Sequence, residues 1–138
     1  MSNNTTPAVT LTDEAKSTLR TAAYGTVSLL AAAGTPHKGN AQASIALTSA
    51  TGLVGHVLSA KSKDIHLTGK TVADLADQVL PALTAAMTLL ETHSPAEATN
   101  FRATIQVAIE AALHSSKGDP TPVVIAMANK ITEALDAA

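Results

Sequence analysis

The chain has 138 residues, enough for one domain with a sizeable core, and no cysteine, which removes disulfides, thiolate metal ligands and cysteine nucleophiles together. Hydrophobic residues make up 46% of it but aromatics only 1%, Tyr24 and Phe101, so its core must be built from Ala, Leu, Val, Ile and Met. A formal net charge of -2 with 14% charged residues lacks the basic excess of a nucleic-acid binder or a membrane-surface protein.

The opening MSNNTTPAVTLTDEAK has no basic stretch followed by an apolar one, so no signal peptide is expected. No apolar run approaches the roughly 18 residues of a membrane span. The expectation is a cytoplasmic protein with no membrane and no nucleic-acid partner. Residues 1–10 are polar and read as a flexible tail, leaving residues 11–138 as a single helical domain.

A first helix is expected to begin near Thr12, whose hydroxyl can cap the first turn, with Asp13 and Glu14 where the helix dipole favours negative charge. Its apolar stripe is Ala15, Leu19, Ala22, Ala23, Val27, Leu30 and Ala31, and Gly34 before Thr35-Pro36 stops it. A second helix, roughly Asn40 to Ala60, is less regular. Gly52 and Gly55 each cost about 1 kcal/mol against Ala in a helix interior, so this segment either kinks or divides in two. Its small residues also suit close packing on the first helix or on another subunit, and on that reading it counts as one helix.

The polar connection KSKDIHLTGK leads to a third helix capped by Thr71. Val72, Leu75, Ala76, Val79, Leu83, Met87 and Leu90 form its stripe, in phase on both sides of Pro81, which predicts one helix kinked there. Ser94-Pro95-Ala96-Glu97 then reads as a capping box: Ser as cap, Pro at the first helical position, Glu three residues after the cap. The fourth helix turns Ala98, Phe101, Ile105, Ala108, Ile109 and Ala112 inward and stops at Lys117-Gly118. A fifth follows Thr121-Pro122 with Val124, Met127, Ile131 and Leu135. The pattern is therefore all-α: five helices, with an up-and-down four-helix-bundle-like core. Alternating directions would put His37-Lys38 and His93-Ser94 at one end, and Lys61, Lys63, His66, Lys70 and Lys117 at the other.

Chemistry is sparse. Thr68-Gly69-Lys70-Thr71 resembles the tail of a phosphate-binding loop, but Asp64 stands where the first glycine belongs, and no strand precedes it. What survives is an anion site at the third helix N-terminus, formed by Lys61, Lys63, Lys70, Thr71 and Lys117. Most such lysine groups are simply solvated. Glu110 and His114 are four apart and can meet, yet a metal needs three or four ligands. His93 and His114 fit helix C-termini as dipole partners, and Asp74 and Asp77 fit a solvated face. His56 is open between burial and solvent, and Arg102 is expected to pair with Glu97 or Glu91. No nucleophile elbow or acid–base arrangement stands out.

The reading is a non-enzymatic helical module acting by association, as a homodimer or with a protein partner, with no catalytic residue, metal or cofactor assigned. The small-residue surface of the first two helices motivates it. The alternative is small-ligand or anion binding at the lysine-rich end.

Overall fold

The computed structural model describes residues 11–60, 65, 67–69, 71–114 and 119–138. Among these the only regular structure is helical: α1 (Asp13–Ala33), α2 (His37–Thr48), α3 (Gly52–Ser59), α4 (Val72–His93), α5 (Pro95–His114) and α6 (Pro122–Asp136). Local side-chain capping sets three of the six helix starts. The hydroxyls of Thr12, Thr71 and Thr121 accept from the amides of Ala15, Asp74 and Val124, each three residues on. Gly34 closes α1, its amide donating to the Leu30 and Ala31 carbonyls. α4 runs through Pro81 as one helix, with Pro81 on its exposed side.

Among the described residues six helices stand where the sequence suggested five. The single second helix is in fact α2 and α3, separated at Ser49–Thr51. The hydroxyls of Thr48 and Ser49 donate to the carbonyl of Ile45, competing for the backbone groups that would continue the helix. Gly52 then takes φ 70, a left-handed conformation that glycine adopts without penalty. Gly55 sits over the carbonyl of Ala50, where a Cβ would lie 2.1 Å from the oxygen. The two glycines are thus the means of the turn and not a weakness inside one helix.

The capping box is also not formed as expected. The Ser94 amide, which Glu97 would have satisfied, instead donates to the carbonyl of Leu90 at the end of α4, at 2.6 Å. Glu97 turns its carboxylate to α3, as described below.

α1 packs chiefly on α4, and α2 on α5. The first pair approaches closely at Gly25, where a Cβ would stand 2.7 Å from Cγ2 of buried Val79. The small-residue face of α1 is therefore used inside the chain. α5 and α6 run antiparallel: Arg102 bonds the Leu135 carbonyl and Gln106 the Thr132 hydroxyl. Between the helices lies an aliphatic core that includes Leu19, Leu30, Leu47, Leu83, Leu90, Ile105 and Ile131, with Phe101 as its largest side chain.

The break in the second segment changes which loops share an end. α2 descends antiparallel to α5, so Lys38 and Gln42 line one groove with Glu110 and His114, while Ser49 and Thr51 line another with Asn100. His37–Lys38 therefore lie where α5 finishes, and His93–Ser94 lie where it begins. A helix of 20 residues separates those points by about 30 Å. The expected grouping of His37-Lys38 with His93-Ser94 is overturned, because α3 doubles back and lets α4 start at the end where α1 stopped.

Gly25→Val tests the close α1–α4 contact. Overpacking costs about 1–3 kcal/mol, more than the few tenths that valine's better helix propensity returns. Thermal unfolding should show a lower Tm for Gly25→Val, with partial recovery in Gly25→Val/Val79→Ala. An unchanged Tm for the single variant would remove the contact from the account.

Candidate functional site

The most elaborate polar arrangement holds α3 at both ends. At its N-terminus the Val54 amide donates to Glu97 Oε1 at 3.1 Å, and Asn100 Nδ2 donates to the Thr51 carbonyl at 2.8 Å. Asn100 also donates to Glu97 Oε1, at 3.2 Å, which fixes the carboxylate. At its C-terminus Arg20 Nε donates to the Val57 carbonyl at 3.0 Å, and the Tyr24 hydroxyl donates to the Leu58 carbonyl at 2.5 Å. An anion at the N-terminus and a cation at the C-terminus both match the helix dipole. Burial raises the Tyr24 phenol above the ordinary tyrosine value, against a lowering effect of Arg20.

Sequence reading did not single out Arg20 or Tyr24. One signal was available: they stand four apart on one helix face, and the chain's single tyrosine hydroxyl needs a partner when partly buried. Their partners on α3 could not be read from that spacing.

The residues chosen from sequence for anion binding are only partly placed. Lys61, Lys63, Lys70 and Lys117, with His66, lie outside the described residues. Thr71 caps its own helix. Beside it, the Asp74 carboxylate packs so closely on Gly69 that any side chain there would meet it, which puts negative charge at this helix N-terminus. The Thr68 amide and carbonyl are both bonded to the Gln78 side-chain amide, so this turn is fastened to α4.

Other candidates resolve individually. His56, Asp74 and Asp77 are exposed. Glu110 and His114 do meet, at 3.5 Å, as an exposed pair. Arg102 pairs with Asp136, and not with Glu97 or Glu91; with its bond to the Leu135 carbonyl it neutralises the end of α6. Among the described residues no three His, Asp or Glu side chains are grouped to hold a metal, and no helix is long and apolar enough to cross a membrane.

The remaining feature is a surface. Ile45 on α2 and Val107 on α5 are 55% and 57% exposed, and the helices carrying them pack side by side. Val107 borders both grooves between these helices, the larger of about 560 Å³, among Gln42, Ala46, Ala103 and Ala111. Lys38, Glu110 and His114 edge this face at one end. No family model, curated protein or solved structure matches the chain.

Two outcomes test the α3 clamp. Glu97→Ala should cost about 1–2 kcal/mol in chemical denaturation, the scale of losing a helix cap, and should speed amide exchange at Val54 first. Uniform exchange across the chain would argue against the clamp. For Tyr24, the neutral phenol is favoured in the folded state. Its contribution to stability is full below the unfolded pKa, near 10, and is lost as pH rises through the higher folded value. Spectrophotometric titration of this single tyrosine should therefore give a midpoint above that of the unfolded chain, and a midpoint at or below it would refute the assignment.

Proposed function

We propose that the protein is a non-enzymatic helical bundle that works by association, and that the outward face of α2 and α5 is its contact surface. The observation that carries this is the pair of large aliphatic side chains, Ile45 and Val107, standing more than half exposed on adjacent helices among small residues. Small neighbours let a partner approach closely, and large exposed aliphatics supply the apolar area that such contacts bury. With 14% charged residues overall, little repulsion opposes self-association. The interior offers nothing comparable among the described residues: the buried Thr26 and Thr104 hydroxyls bond carbonyls of their own helices, buried Thr35 bonds Asn40, and Arg20 belongs to the clamp on α3.

The same observation replaces the original motive for this reading. Ala22, Ala23 and Gly25 of α1 are buried within the chain, Gly25 against Val79 of α4, so the associating surface is assigned to α2 and α5. The competing reading, an anion site at Lys61, Lys63, Lys70, Thr71 and Lys117, has the Asp74 carboxylate against it at the described part of the helix N-terminus.

Light scattering over a wide concentration range should show the chain passing from monomer to dimer. The variant Ile45→Asp/Val107→Asp should shift that midpoint at least about tenfold upward, the effect of about 1.4 kcal/mol, with its helical circular dichroism unchanged because both side chains are more than half exposed. A wild type that stays monomeric throughout would overturn self-association.

A further inference from the structure

We infer that the α2–α5 face pairs with the same face of a second copy about a two-fold axis parallel to these helices, setting Lys38 of each copy against Glu110 of the other. This rests on the associative reading above and names its geometry. On α2 and its C-cap, Lys38, Gln42, Ile45 and Ser49 recur at intervals of four, three and four, one stripe of an α-helix. On α5 the corresponding stripe is Ala103, Val107, Glu110 and His114. Because the two helices run antiparallel, Lys38 stands level with Glu110 and His114, and Ala46, next to Ile45, stands level with Ala103 and Val107.

That levelling makes the face complementary to itself. Rotation about an axis parallel to the helices exchanges α2 and α5 but keeps each residue at its height. Lys38 then meets Glu110, Ile45 meets Val107 and Ala103, and each contact occurs twice, as an isologous interface requires. An in-plane axis perpendicular to the helices would reverse the heights. Lys38 would then lie over the Ser49 end of α2 and Glu110 over the Asn100 end of α5, where the opposite charges, Glu97 and Arg102, are already engaged by the Val54 amide and by Asp136. Charge complementarity therefore selects the parallel axis. His114, 3.5 Å from Glu110 within the chain, lies at the same edge and leaves the carboxylate between two bases.

The test uses the full chain and sedimentation velocity at low ionic strength, with circular dichroism as a check of folding. Each single reversal, Lys38→Glu or Glu110→Lys, turns two attractive contacts into two repulsive ones, and should raise the dimer Kd about tenfold. The double variant Lys38→Glu/Glu110→Lys restores opposite charges across the interface and should return the Kd close to that of the wild type. A dimer whose Kd ignores the single reversals, or a double variant weaker than both singles, would overturn the two-fold arrangement while leaving association intact. A wild type with no dimer would overturn both.

Discussion

The short helix α3 is the constraint on which the arrangement depends. Eight residues are too few for a helix to persist in water without help. Here each terminus is satisfied from a different neighbour: Glu97 and Asn100 of α5 at the start, Arg20 and Tyr24 of α1 at the finish. The clamp joins the two helix pairs, α1 with α4 and α2 with α5, through hydrogen bonds to main-chain groups, among them the Val54 amide and the Val57 and Leu58 carbonyls left open at the ends of α3. It also turns the chain back, so that α4 starts where α1 ended and can lie antiparallel along it.

An alanine-rich core has a second consequence. Small side chains bury little area each, so the structure compensates by close approach, as at Gly25 against Val79, and by filling the centre with leucine, isoleucine and one phenylalanine. Large aliphatics left outside are correspondingly conspicuous. Ile45 and Val107 stand on adjacent helices, while Val123 and Ile125 lie near the start of α6. The polar side chains described bond mainly carbonyls of their own helices, and a smaller set ties helices to each other. What the chain offers to other molecules is a shaped, weakly charged surface, and this is why association is the functional reading.

Much of this was legible residue by residue. Thr12, Thr71 and Thr121 cap as their sequence contexts suggest, Gly34 stops α1, and the stripe through Val79, Leu83, Met87 and Leu90 is buried. The glycines at 52 and 55 signalled trouble in the second helix without saying whether it would kink, pack or divide. Two signals misled. Ser94-Pro95-Ala96-Glu97 looks like a capping box, yet the Ser94 amide is taken by Leu90 and the Glu97 carboxylate by another helix. Arg102 had nearby carboxylates in sequence and found Asp136 in space. In each case a partner distant in sequence displaced the local one.

The sequence by itself determined the all-helical class, most helix boundaries and the residues that turn inward. These follow from interactions reaching three or four positions along the chain, which the order of residues specifies completely. Tertiary structure alone decided that the second segment doubles back, that His37–Lys38 join the end of α5 and not the His93–Ser94 turn, and that Ile45 and Val107 are left exposed on helices that pack together. Those outcomes depend on which helices pack together, and that is a property of the whole core, in which Glu97, Arg20 and Tyr24 bond groups far from them in sequence.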